Sequence, residues 1–278
     1  MVVSSRNTLL VRQSELRESG ADLPAWFVDA YTPFRSIVLD EQRLYPCYFG
    51  VDGERDAQNW YTYVETGVGE GRADSEQTTP TPNLRSQLPV LGGSIDRLAE
   101  TLVQFLGLSA QLPGRLSLLA FFGPPHANGT LEEYAGQFWQ TLALLRQRDR
   151  RPWPAAVPTD PNDPKWEFCF AGEPLFLFGN CPAYRARRSR NLGDCLVVVF
   201  QSKRVFHGIG GETPAGRAAK NRIRQRLRAY DDIPPHAILG PSDHSSIDKW
   251  KQYFLPDDDR PIGDVCPLTT LMAAEQPS

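Results

Sequence analysis

The stretch from Trp166 to Gln201 constrains the fold more than any other part of the chain. Trp166–Phe170 and Leu175–Phe178 flank Ala171-Gly-Glu-Pro, a β-hairpin pattern with a four-residue turn. Cys195–Gln201, dominated by Val197, Val198 and Val199, reads as a third apolar strand. Two more strands precede them. Leu116–Phe122 is a continuous apolar run that suits a buried strand, and Trp60, Tyr61, Tyr63 and Val64 alternate as strand residues do. Helical patterns lie on both sides. Leu9, Leu10 and Leu16, then Trp26, Phe27, Ala30, Tyr31 and Phe34, fall at helical spacing, with a break at Leu23-Pro24. Ser94 predicts an N-cap ahead of Ile95, Leu98, Leu102, Phe105 and Leu106. Thr130-Leu-Glu-Glu predicts a capping box opening a helix through Tyr134, Phe138, Leu142 and Leu145. A further helix is expected from about Pro214 to Tyr230. Strands joined by a hairpin, with helices before and after, predict an α+β fold: an antiparallel sheet with helices packed around it, in one domain over 1–278. Residues 1–40 form its N-terminal helical segment, and the Gly-, Thr- and Pro-rich stretch 67–82 is expected to be a long loop.

Charge and cysteine usage narrow the function. Thirty Lys and Arg against 33 Asp and Glu give a net charge of -3, which argues against bulk nucleic-acid binding. The distribution is uneven: Arg185, Arg187, Arg188 and Arg190 cluster, Arg217 to Arg228 is strongly basic, and Asp257, Asp258 and Asp259 gather the acid. Each basic run suits either a solvated face or an anion site. A basic-face RNA-binding protein drawing on Arg217–Arg228 is opposed by the net acidity. Cys47, Cys169, Cys181, Cys195 and Cys266 are odd in number, widely spaced and without a C-x-x-C pair, so neither a disulfide framework nor a structural zinc site is expected. His126, His207, His236 and His244 match no familiar zinc pattern. No apolar run approaches the ~18 residues of a membrane span, and no secretory signal is visible, so a cytoplasmic protein without membrane partners is expected.

Familiar catalytic motifs are missing. Gly67-Val-Gly-Glu-Gly-Arg lacks the ending of a phosphate loop, and no G-x-S-x-G elbow exists. Gly208-Ile-Gly-Gly ahead of a helix suits an anion or a plain loop. Asn128-Gly-Thr matches a glycosylation sequon that has no signal peptide to give it meaning. Within Trp166-Glu-Phe-Cys-Phe, strand alternation places Trp166, Phe168 and Phe170 on one face and Glu167 on the other. A carboxylate beside an aromatic wall suits a guanidinium or ammonium group; an edge strand with Glu167 in water fits the pattern equally. Tyr45-Pro-Cys-Tyr-Phe-Gly sets a thiol among aromatics, either as a small buried hydrophobe or as a soft iron ligand. Pro234-Pro235-His236 holds an imidazole in a stiff extended segment.

Taken together, these segments resemble the YqcI/YcgG family. The carriers are Tyr45-Pro-Cys-Tyr-Phe-Gly, Phe138-Trp139, Asp160-Pro161 and Trp166-Glu-Phe-x-Phe-x-Gly-Glu-Pro-x-Phe. They continue through Pro182-x-Tyr, Arg188-Ser-Arg190, Phe200-Gln201, Arg204-Val-Phe206 and Arg226-Leu with Tyr230-Asp231. His236, Trp250-Lys-Gln-Tyr-Phe-Leu and Cys266-Pro267 complete the series. The resemblance implies a heme-dependent N-hydroxylase that uses heme b and O₂ or peroxide. Its substrate is a guanidino compound, first of all L-arginine, converted to Nω-hydroxy-L-arginine. It implies Cys47 or His236 as axial ligand, with Cys266 third, and Arg188, Arg190 and Arg204 as partners of the heme propionates. Glu167 or Glu173 would neutralise the guanidinium, with Trp166 as a stacking face. The heme would sit between the hairpin and the basic segments. No reductase motif is present, so a separate electron donor or peroxide is expected. A non-catalytic heme carrier or sensor is the alternative, needing the same ligand but no carboxylate facing the iron.

Overall fold

The computed structural model describes residues 9–18, 22–66, 92–125, 129–210, 213–239 and 248–273. The expected loop at 67–82, the sequon Asn128, and His126 and His244 lie outside the described residues. In chain order the elements are β1 (Val11–Arg12), α1 (Gln13–Arg17), α2 (Ala25–Val38), α3 (Tyr48–Arg55), β2 (Asn59–Glu65) and α4 (Gly92–Ser109). There follow β3 (Ser117–Gly123), α5 (Leu131–Arg148), β4 (Cys169–Phe170), β5 (Glu173–Asn180), β6 (Leu196–Ser202), α6 (Pro214–Tyr230) and α7 (Pro267–Ala273). Short 3₁₀ turns at Arg188–Arg190, Lys203–Phe206, Ala237–Leu239 and Lys249–Gln252 shape the connections.

The strands form one six-stranded sheet in the order β1-β2-β3-β6-β5-β4. The expected α+β fold is present, with helices on both faces. The sheet is mixed rather than wholly antiparallel: β2 and β3 pair in parallel and the other neighbours are antiparallel. The reason is the connection. α4 lies between β2 and β3 in the chain and packs on β2, and a helical crossover returns the chain in the same direction. The hairpin β4–β5 turns on two residues rather than four. Ala171 (φ 54°) and Gly172 (φ 77°) both adopt left-handed backbone, as a type I′ turn requires, and Phe170 pairs with Glu173.

Helix starts follow local chemistry. Thr130 and Glu133 form the capping box of α5, and Thr213 Oγ1 accepts the Gly216 N–H to cap α6. Thr213 also bonds the Gly210 carbonyl, so the Gly208–Gly210 segment serves as a packed entry to α6. Ser94 falls inside α4, which begins at Gly92. Leu23-Pro24 breaks the N-terminal segment as expected, and Val11–Arg12 add a short edge strand there.

Each face of the sheet has its own core. Leu118, Ala120 and Phe122 of β3, with Val198 and Phe200 of β6, pack under α4, α5 and the aromatic group Phe138, Trp166, Trp250 and Tyr253. The alternating residues Leu119 and Phe121, with Val197, Val199, Tyr61 and Tyr63, pack against Phe27, Tyr31 and Phe34 of α2. Burial on both faces explains why β3 is apolar without alternation. Each large side chain so buried stabilises the fold by roughly 1.5–3 kcal/mol.

Burial also gives the fold an alkaline limit. Cys169, Cys181 and Cys195 are each pushed up to about 12, first by burial, against roughly 8.5 for a free thiol. Between those values an unfolded thiol is ionised while the folded one keeps its proton. Unfolding then releases protons, and stability falls as pH rises. Urea unfolding in reductant is expected to lose about 1.4 kcal/mol per pH unit per thiol above pH ~9. Cys195→Ala removes one thiol's share of that slope; an equally steep slope in the variant contradicts the assignment.

Candidate functional site

Strand register builds a cavity on the α2 side of the sheet. Leu119 pairs with Tyr61 on one side and Val199 on the other, and Val199 pairs with Phe178, giving one row across three strands of the cavity floor. The next row on this face is polar: Asn59 pairs with Ser117, Gln201 with Phe176, and Gln201 Nε2 donates to Ser117 Oγ at 2.7 Å. Phe34 and Val38 of α2 and Tyr45, Cys47, Phe49 and Gly50 around the start of α3 supply one wall. Val205 and Phe206 and the α6 stripe Gly216, Ala219, Lys220 and Ile223 supply the other. Positions 216, 219, 220 and 223 recur at helical spacing, so α6 turns its small and aliphatic residues inward. The enclosed volume is about 180 Å³, and with the open mouth the empty space reaches about 1000 Å³. The enclosed part alone is smaller than the roughly 300–1,000 Å³ typical of ligand pockets, so a large guest would also occupy the open mouth.

Cys47 sits at the mouth of α3 as its N-cap residue and lines this cavity. Burial pushes its thiol up, while the Phe49 and Gly50 N–H dipoles and the Arg190 charge pull the other way. Neither N–H makes a full capping hydrogen bond to the sulfur. A sulfur facing an apolar space, with amide dipoles and a cation behind it, is a thiol whose ionised form is supported once a cation meets it from the front.

Asn59 ties the polar row to a buried carboxylate. Glu54, at the far end of α3, is fully buried and accepts from Asn59 Nδ2 (3.1 Å), Gln13 Nε2 (2.6 Å) and Tyr31 Oη (2.7 Å), and from Tyr61 Oη. Arg35 Nε stands 3.7 Å away. This hub joins α1, α2, α3 and β2. Burial and the Glu54 charge raise the Tyr31 and Tyr61 hydroxyls well above the usual phenol range.

The other sequence-derived candidates are placed as follows. His236 is buried away from the cavity. Its Nδ1 accepts the Ile238 N–H at 3.2 Å, so Nε2 carries the proton and donates to the Arg260 carbonyl at 3.1 Å. Cys266 belongs to the core on the opposite face. Trp166 is fully buried in that same core, stacked near Trp153 and Tyr253. Glu167 is held by Lys249 at 2.5 Å and Lys203 at 2.8 Å. Glu173 pairs with Arg204, and Arg188 with Asp232. Arg190 differs from these: among the described residues no carboxylate reaches ion-pair distance. It makes long bonds to the Gly179 and Gln252 carbonyls (3.4 and 3.3 Å) and lies 5.0 Å over Phe178, a cavity residue. Burial lowers its guanidinium from the usual range. So of the sequence-derived candidates the structure places Cys47 on the lining and Arg190 just outside it, over Phe178, and leaves Trp166, Glu167, Glu173, Arg188, Arg204 and His236 elsewhere.

Two cations on the lining escape a reading by motif. Arg115, just before β3, lies 4.9 Å over Phe49 and donates to the Val205 carbonyl at 3.1 Å. Lys220 belongs to the basic run, and its helical phase selects it from its neighbours. The basic and acidic clusters seen separately in the sequence also meet. Asp257 accepts the Arg185, Ala186 and Arg187 N–H groups, and buried Arg187 binds the Pro234, Pro256 and Asp258 carbonyls and Asp259. That network fixes the loop from which Arg190 reaches Phe178 at the edge of the cavity. Among the described residues no group of three or more His, Cys, Asp or Glu could hold a metal ion, and no helix is long and apolar enough to cross a membrane.

Fold and site together define an α+β sheet protein with a buried apolar cavity that one thiol and several cations border. The chain belongs to the YqcI/YcgG family, whose model matches residues 34–269. It is 30% identical over 264 residues to the uncharacterized protein YqcI of Bacillus subtilis, covering 94% of each chain. It is 37% identical over 179 residues to YcgG of the same organism, covering 63% of this chain and 70% of that one. It is also 30% identical over 271 residues to DcsA of Streptomyces lavendulae, covering 96% of this chain and 91% of that protein, whose name puts it forward as an N(omega)-hydroxy-L-arginine synthase. No solved structure matches.

Proposed function

We propose that this protein is an N-hydroxylase of a guanidino substrate, first of all L-arginine, and that the Cys47 cavity holds a b-type heme. The observation that carries the reading is the position of Cys47: a helix-start thiol, under the influence of the Arg190 charge, on the lining of a largely apolar cavity with an open mouth. The relative named for hydroxyarginine synthesis supplies the substrate class. The donor chemistry fits the group. A porphyrin iron asks the protein for one axial donor rather than a cluster, and its propionates ask for cations, which Arg115 on the lining and Arg190 beside Phe178 offer. Arg188 and Arg204 already neutralise Asp232 and Glu173 and are left out of this role.

When bound, a heme would supply the activation of O₂, with electrons from a separate donor, or of peroxide that guanidino N-hydroxylation needs. The chain's own residues do the rest. Cys47 binds as thiolate, stabilised by the Phe49 and Gly50 N–H dipoles. The apolar walls exclude water, which strengthens every electrostatic contact inside. The polar row Asn59, Ser117 and Gln201 orients the guanidino group through side-chain oxygens, and Glu54 behind Asn59 supplies the negative charge that a buried cation needs. Glu54 takes this part in preference to Glu167 or Glu173 because Asn59 links it to the cavity lining, from which the other two carboxylates are absent.

The test is product formation. Hemin-loaded protein given L-arginine with a reductant and O₂, or with peroxide, is expected to yield a product one oxygen heavier, located on the guanidino group by tandem mass spectrometry. Hemin uptake with no oxygenated product under either regime contradicts the enzyme reading and favours a heme carrier.

A further inference from the structure

A second pocket of about 400 Å³ adjoins the Cys47 cavity, and Val38 and Tyr45 line both. Its walls carry charges of both signs. On one side stand Arg222 and Arg226, four residues apart on α6 and so on one face of the helix. Both guanidinium groups lie over the Tyr48 ring, at 5.1 and 5.7 Å, and Arg226 is steadied by a 3.3 Å bond to the Tyr45 carbonyl. Neither has a carboxylate within ion-pair distance among the described residues, so their forked donors are free for an anion. The pocket also carries Asp40 and Glu41, again without an ion-pair partner among the described residues. Asp40 Oδ1 accepts the Gln42 and Arg43 N–H groups, which fixes the carboxylate in place. Asp52 and Arg55 satisfy each other at 3.4 Å and contribute little net charge.

We infer that this pocket binds the zwitterionic end of an α-amino acid: Arg222 and Arg226 take the α-carboxylate, and Asp40 and Glu41 take the α-ammonium. Two guanidinium groups over one ring match a carboxylate bidentately, and the anchored Asp40 carboxylate with Glu41 beside it matches an ammonium. The shared wall at Val38 and Tyr45 lets the ligand's side chain run into the neighbouring cavity. That direction, though not the pocket's ligand class, rests on the function proposed above. The enzyme would therefore select amino acids that carry the guanidino group on a flexible chain, and would discriminate against guanidino compounds lacking the zwitterion.

Calorimetric titration of the whole chain, with and without hemin, tests this using L-arginine, agmatine (no carboxylate) and Nα-acetyl-L-arginine (no ammonium). L-Arginine is expected to bind about tenfold to a hundredfold more tightly than either analogue. The double variant Arg222→Gln/Arg226→Gln should lose that factor for L-arginine and leave agmatine unchanged. Asp40→Asn/Glu41→Gln should weaken L-arginine and leave Nα-acetyl-L-arginine unchanged. Equal affinity of the wild-type protein for all three ligands, no binding of L-arginine, or variants that bind L-arginine as wild type does would each overturn the proposal. The ligand series on wild-type protein decides the matter even if a variant misfolds. Charge-dependent L-arginine binding in a protein that takes up no hemin leaves this pocket standing and removes the cofactor; normal hemin uptake with charge-indifferent binding does the reverse.

Discussion

Cys47→Ser is expected to weaken hemin binding by at least about tenfold and to remove the thiolate signature from the ferrous–carbonyl spectrum. Serine keeps nearly the same volume and the same place at the start of α3, so the cavity survives while the soft anionic donor is replaced by a hard neutral one. The surroundings make the change costly. Burial alone holds the thiol protonated, and the Phe49 and Gly50 dipoles with Arg190 reduce that cost only in part, so a positive iron in front of the sulfur is the partner that completes the balance. His236→Ala serves as the control. Both of its ring nitrogens are engaged by Ile238 and Arg260, and its loss should leave the spectrum of the bound pigment unchanged. A Cys47→Ser protein with wild-type affinity and spectrum would falsify the ligand assignment.

Glu54→Gln is expected to be the most damaging single change to stability away from the hydrophobic cores, at about 3–5 kcal/mol in denaturant unfolding. The carboxylate is fully buried and accepts from Gln13, Tyr31, Asn59 and Tyr61, and an amide turns one acceptor into a donor facing other donors. The Arg35 pair adds less, since it stands 3.7 Å away on a partly exposed side chain. The loss should reach the site as well. Glu54 anchors the end of the helix whose start presents Cys47, and it fixes Asn59 in the polar row. A destabilisation under about 1 kcal/mol would mean that the network is not the hub its geometry indicates.

What the sequence made legible, and what it hid, follows from the range of the interactions. The apolar run of β3, the capping box of α5 and the extent of α6 are written in neighbouring residues and were readable directly. Helix α3 was not. Gly50 and Gly53 depress its propensity, yet Gly53 has a tertiary reason to be glycine: a Cβ there would stand 2.9 Å from the Asn59 side-chain oxygen. The two-residue strand β1 is defined only by its partners in β2. Cys47 was legible as a thiol among aromatics. Its neighbours in the site were not, because Arg115, Gln201, Lys220 and Asn59 come from four elements that only strand register and helix phase bring together. The same distance effect hides the partners of Glu167. Its aromatic flank is visible in Trp166-Glu-Phe, while the lysines that occupy it arrive from residues 203 and 249.

The sharpest measurement is a titration of the purified wild-type chain with hemin, followed by absorption. A cavity floored by Leu119, Val199 and Phe178 and fronted by Cys47 predicts uptake of one equivalent per chain with a sharp Soret band, displaced when L-arginine is added. A chain that leaves added hemin with the spectrum of the free pigment contradicts the account.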